Sequence, residues 1–263
     1  MALQLINYQE DCLSVLREYL HEAAIIGAKA AFNKRPELAV KYREVSGLPD
    51  LPYVCLRVPT GGGKTILAAY SVGVVAGEFL QAEQCVVLWL APTSAIVDQT
   101  IKALRDKSHP YRQALESDFG GNVEVLTIEE ALRVTRAMLD GATTVIVATL
   151  AALRVSNTDG RHVYETNGAL QHHFSGLSEL QLSKLETTDE GVIAYSLANV
   201  LRLRRPLVIM DEAHNARTPL CAATLCRGAL ATRLAGRVSV SSEKLNTPNF
   251  AGSAVSVPSS PLA

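Results

Sequence analysis

Residues 53–65 read YVCLRVPTGGGKT, and residues 207–215 read LVIMDEAHN. In the first stretch an apolar run broken by Arg57 gives way to a proline, three glycines, Lys64 and Thr65, followed by small apolar residues through Val75. Strand, glycine turn, Lys-Thr and helix in that order form a cradle for a nucleoside triphosphate. Successive backbone N–H groups must turn inward around phosphate oxygens, along a path that a Cβ would obstruct. The candidates for nucleotide are Thr60, Gly61, Gly62, Gly63, Lys64 and Thr65. Lys64 supplies a point charge to the β- and γ-phosphates, and the Thr65 hydroxyl suits Mg²⁺. One position departs from the general pattern, because Val58 stands where its first glycine belongs. In the second stretch four apolar residues run straight into Asp211 and Glu212. Two acids at the carboxyl edge of a buried strand can divide their labour, Asp211 on Mg²⁺ and Glu212 on an attacking water. His214 lies just beyond, suited to coupling the site to a moving neighbour.

These groups need a frame, and the apolar pattern supplies one. Further continuous apolar runs at 84–91, 122–126 and 143–148 predict strands, as do 53–58 and 207–211. Helical periodicity predicts helices over 8–32, 66–75, 95–107 and 191–205, and a Thr127/Glu130 capping box predicts one running from 127 to about Leu139. Thr149 caps a short helix through Leu153. Alternating strands and helices imply βαβ units, and strands without polar alternation imply a parallel sheet covered on both faces. The expected fold is therefore α/β with three layers. Residues 154–190 read as an insertion with short helices. Its His172-His173 pair is a poor metal site, since adjacent residues face different ways and no carboxylate or cysteine stands at ligand spacing. Gln9, in the first turn of the first helix, reads either as an exposed polar residue or as an amide that donates to and accepts from adenine.

Composition sets outer bounds. The chain has 263 residues, 48% of them hydrophobic and 19% charged, with a net charge of −1. A domain basic all over is excluded, although a local basic groove is not. Five irregularly spaced cysteines argue for reduced thiols in a cytoplasmic protein, and no apolar run approaches membrane-spanning length.

The ordered set PTGGGKT, LAPTSAIVDQ (90–99), VATL (147–150) and DEAH (211–214) resembles the superfamily 2 helicases. The surrounding words, TLAALRVSNTDGRHVYETNGALQHHF and MDEAHNARTP, are similar to the ATPase-helicase (Res) subunit of type III restriction enzymes and related bacterial proteins. The resemblance covers residues 5–219. It implies a RecA-like P-loop NTPase domain, the first motor domain only, that binds ATP and Mg²⁺ and acts on DNA. It also implies adenine reading by Gln9, DNA-backbone contacts by Pro92, Thr93 and Thr149, and a modification or specificity subunit as partner. The expected organisation is an N-terminal helical lead-in over 1–52, the motor domain over 53–241 and a disordered tail over 242–263. After Pro219 the family pattern fades. From Ala216 onward there are five Lys/Arg against one Asp/Glu, and serine, proline and asparagine crowd the end. The family's next strand, between the phosphate-loop strand and the DEAH strand, has only RVSVS (237–241) as a local substitute. An alternating polar strand is a poor occupant of a covered central position. Two other readings stay open: a truncated remnant that binds nucleotide or nucleic acid without turnover, and an unrelated P-loop kinase.

Overall fold

The computed structural model describes residues 4–35, 42, 44, 51–58, 61–153, 162–211, 237–241 and 253–255. Among these residues seven strands form one parallel sheet: β1 (Tyr53–Arg57), β2 (Val86–Ala91), β3 (Val123–Thr127), β4 (Thr143–Thr149), β5 (Leu207–Asp211), β6 (Arg237–Ser241) and β7 (Ser253–Val255). Their order is β3-β4-β2-β5-β6-β1-β7. Every adjacent pair runs parallel.

The two sides of each apolar strand serve two separate cores. On β2, Val87 and Trp89 face one core, together with Val145, Val147, Leu207 and Ile209. Val86, Leu88 and Leu90 face the other, with Ile146, Ala148 and Met210. The first core is roofed by α1 (Asn7–Ile26), α2 (Ala28–Asn33), α3 (Lys64–Val75), α4 (Ser94–Arg105) and α5 (Pro110–Phe119). The second is roofed by α6 (Ile128–Ala131), α7 (Arg136–Gly141), α9 (Leu197–Arg204) and the 3-10 turns at Leu150–Leu153 and Gly168–Phe174. A further short helix, α8 (Glu179–Leu182), lies in the insertion. Two-sided burial is why these strands lack polar alternation, and the expected three-layer α/β fold is the one observed.

Several expected elements differ in extent. The 8–32 helix is two helices, because α1 stops at Gly27 and α2 restarts at Ala28. The helix expected from Thr127 to Leu139 is also two. Thr127 and Glu130 form the capping box of α6, and Thr135 then accepts from the Met138 N–H to cap α7. The 191–205 helix begins only at Leu197, where Ser196 accepts from the Asn199 N–H. Helix α5 was not expected. His109 caps it and Pro110 opens it, an arrangement that spares the first-turn donors.

The carboxyl-terminal region corrects two expectations. The Val-Ser alternation of β6 occupies the central place between β5 and β1, with Ile209 and Tyr53 registered near Val238 and Arg237 respectively. What an interior strand must supply first is a complete row of backbone donors and acceptors for both neighbours. Within the 242–263 segment, expected to be disordered, Ser253–Val255 pairs with Val54–Leu56 as β7, and the rest of that segment lies outside the described residues. An open edge of β1 is a ready template for such pairing.

In the insertion, the His172 and His173 rings lie 4.3 Å apart, closer than opposite faces would allow. Each ring is tied to its own stretch of backbone. His172 Nε2 accepts from the Arg136 N–H at 3.3 Å, and His173 Nε2 donates to the Val134 carbonyl at 2.9 Å. Burial holds the His173 pKa below its ordinary value, and His172, Arg204 and Arg136 push the same way.

Candidate functional site

Parallel strands deliver all their carboxyl ends to one edge of the sheet, where loops are free to gather around a ligand. At that edge β1 leads into the glycine turn and α3. Gly61 has φ of +78° and Gly63 φ of +79°, the left-handed region that side chains avoid. Gly63 caps α3, and its carbonyl accepts from the Leu67 N–H at 3.1 Å. Lys64 and Thr65 are therefore the first two residues of α3, half-buried at the helix's positive end. Val58, at the position of the missing glycine, is buried in the core beneath the turn.

The turn is held from behind by the start of α1. Gln9 is only 7% exposed, so the reading of it as a solvated first-turn residue is corrected. Ile6 stands at the cap of α1 with no side-chain oxygen, and Gln9 Oε1 accepts the Ile6 N–H instead at 3.2 Å. Gln9 Nε2 donates to the Gly62 carbonyl at 3.0 Å. The Tyr8 hydroxyl donates to the same carbonyl at 2.6 Å. A Cβ on Gly63 would lie 2.5 Å from Gln9 Nε2 and 3.0 Å from Ile66 Cγ2. Gly63 is thus required twice, by its backbone angle and by the approach of Gln9. By valence the Gln9 amide keeps one N–H and acceptor capacity for a further partner.

Asp211 ends β5. It registers with Val240 of β6, which registers with Leu56 of β1. Asp211 is therefore level with the end of the phosphate-loop strand, two strand spacings or about 10 Å away. Thr60, Glu212 and His214 lie outside the described residues.

On the other side of β5 the next two strand ends carry hydroxyls. Ala91 of β2 registers with Thr149 of β4. Pro92 and Thr93 follow β2, and Thr93 Oγ1 accepts the Ile96 N–H at 3.3 Å as the cap of α4. Thr149 Oγ1 accepts the Ala152 N–H at 3.3 Å, as expected of a cap. Each hydroxyl still has its own proton to donate. The sheet thus brings Gln9, Gly61–Thr65, Asp211, Pro92, Thr93 and Thr149 to one edge. Tyr8 is the contact that sequence reasoning missed. Its adjacency to Gln9 at a helix start was the available signal.

No curated protein matches the chain. Among solved structures, the crystal structure of the Pyrococcus furiosus Hef helicase domain is similar, with a TM-score of 0.43 and 17% sequence identity. The match covers 92% of this chain and 33% of that one, so the chain spans about a third of that chain's length. Among the described residues no helix is long and apolar enough to cross a membrane. The family model of the type III restriction enzyme res subunit matches residues 2–224. The chain belongs to that family.

Proposed function

We propose that the chain binds and hydrolyses ATP as the first motor domain of a DNA helicase or translocase of the type III restriction-modification type. The observation that carries this reading is the left-handed Gly61–Gly63 turn joining β1 to α3 at the carboxyl edge of the sheet. A cradle in which a Cβ on Gly63 would strike Gln9 fits a group bound through backbone N–H donors. In this proposal Thr60 and Gly61–Thr65 hold the phosphates, Lys64 adds charge and Gln9 reads adenine with its remaining amide capacity. Thr65 and Asp211 would hold Mg²⁺, which supplies positive charge to the β- and γ-oxygens. The Glu212 carboxylate orients the attacking water and accepts its proton, while the backbone donors keep the γ-phosphate in line. His214 couples the site to an adjoining domain. Pro92, Thr93 and Thr149 contact the DNA backbone, since hydroxyl protons at neighbouring strand ends suit phosphate oxygens and read no sequence. We assign the protein to the cytoplasm, with a modification or specificity subunit as partner.

The test is turnover with and without duplex and single-stranded DNA, in wild type and Glu212→Gln. The variant keeps the size and hydrogen bonding of the side chain but loses the carboxylate. It is expected to bind ATP as wild type does and to abolish whatever turnover wild type shows. Weak ATP binding by Glu212→Gln would contradict its assignment to water, making it a structural or metal-holding group. A wild type that binds ATP but never turns over, with or without DNA, would favour the non-catalytic remnant.

A further inference from the structure

We propose that Tyr8 is a positioning residue for the phosphate loop, aiming the Gly63 N–H at the bound phosphates by pulling on the Gly62 carbonyl. The inference rests on the phosphate-loop reading above. Gly62 is buried, and its carbonyl accepts twice, from the Tyr8 hydroxyl at 2.6 Å and from Gln9 Nε2 at 3.0 Å. Both donors come from the first turn of α1, more than fifty residues away in sequence. The Gly62–Gly63 peptide is trans. In a trans peptide the C=O of one residue and the N–H of the next point in opposite directions across one rigid plane. Drawing the Gly62 oxygen toward α1 therefore turns the Gly63 N–H away from α1.

The peptide lies between two residues without a Cβ, Gly62 and Gly63, the latter with φ of +79°, so side-chain sterics within the loop do not fix the direction of its plane. The fixing comes from outside. A carbonyl oxygen has two lone pairs, and rotation of the plane would weaken both of the hydrogen bonds that Gly62 accepts. Of the two donors, Gln9 has a second task at the Ile6 N–H, whereas among the described residues the Tyr8 hydroxyl bonds the Gly62 carbonyl alone. The Tyr8 ring is half-buried against the first core, which carries the hydroxyl on a packed support. Tyr8 thus acts on the nucleotide through the loop, without contact of its own.

The experiment is Tyr8→Phe, which removes one oxygen and keeps the ring, with ATP-Mg²⁺ affinity measured by calorimetry at a temperature where both proteins are folded. A loss of two- to about tenfold is expected, the range that one net hydrogen bond spans. A structural role alone would lower the unfolding midpoint and leave the affinity of the folded protein unchanged. In parallel, the Gly63 amide resonance of wild type is followed by NMR during ATP-Mg²⁺ titration, a readout that does not depend on the variant folding. A shift of that resonance in wild type, with weaker binding by Tyr8→Phe, supports the inference. Equal affinities overturn it and leave the phosphate-loop reading standing, whereas a Gly63 resonance that stays put while wild type binds ATP overturns both. A wild type that does not bind ATP at all overturns both.

Discussion

The contact between Gly63 and Gln9 permits a prediction with a built-in control. Gly61 and Gly63 have nearly the same φ, +78° and +79°. Alanine at either one meets the left-handed penalty, about 1–2 kcal/mol. Of the two, Gly63 has neighbours in the way: its added Cβ would sit 2.5 Å from Gln9 Nε2 and 3.0 Å from Ile66 Cγ2, whereas the Cβ of Gly61 would meet nothing within 4 Å. The side-chain end of Gln9 must then move and release the Gly62 carbonyl, a further cost of about 0.5–1.5 kcal/mol. Gly63→Ala is thus expected to destabilise by roughly 1.5–3.5 kcal/mol against about 1–2 for Gly61→Ala. Urea denaturation reads both values. Repeating the two substitutions in a Gln9→Ala background isolates the clash. There Gly63→Ala should lose the cost of displacing Gln9 and keep only the left-handed penalty and the 3.0 Å approach to Ile66 Cγ2, giving a coupling on the order of 1 kcal/mol between residues 9 and 63. Equal costs for the two glycines, or additivity with Gln9→Ala, would refute the packing of α1 on the turn.

Two other features make their own predictions. Gly73 of α3 lies so close to α5 that an added Cβ would come within 2.0 Å of Asp118 Oδ2 and 2.6 Å of its Cβ. Gly73→Ala should cost about 1–3 kcal/mol by overpacking, and Asp118→Gly should relieve it where Asp118→Ala does so only in part; an unchanged penalty in the Asp118→Gly background would contradict the contact. Burial lowers the His173 pKa, so the folded protein binds that proton less readily than the unfolded chain. Stability is then full above the ordinary histidine value of 6.5 and declines as pH falls below it toward the folded pKa. His173→Asn should flatten that part of the stability–pH curve, and identical slopes in the two proteins would count against a buried neutral imidazole.

How much of this was written in the sequence depends on how the signal is carried. Strands β2, β4 and β5 were legible because burial on both faces leaves an unbroken apolar run with turn residues at its ends. The turn at Gly61–Gly63 was legible because its glycines are required by geometry. Helix α5 was not: it buries little beyond Ala114, Leu115 and the ion-paired Arg112, too narrow a stripe to register as a period. Its one start signal is the His109-Pro110 pair. The splitting of the 127–139 helix at Thr135 was hidden for a related reason, since apolar residues continue at helical spacing on both sides of the break. Strands β6 and β7 depend on backbone pairing with β1 and β5, and pairing of that kind leaves no trace in composition. Gln9 and Tyr8 were visible as residues but not as partners of Gly62, because the contact spans more than fifty residues.

The central claim is that the turn at Gly61–Thr65 binds ATP-Mg²⁺, and the most direct measurement is the nucleotide-induced gain in unfolding free energy for wild type and Lys64→Ala. At a hundredfold excess over the dissociation constant, wild type should gain about 2.7 kcal/mol. Lys64→Ala, lacking the charge at the first residue of α3, should lose most of that gain. An equal gain in the two proteins, or none in either, would contradict the account.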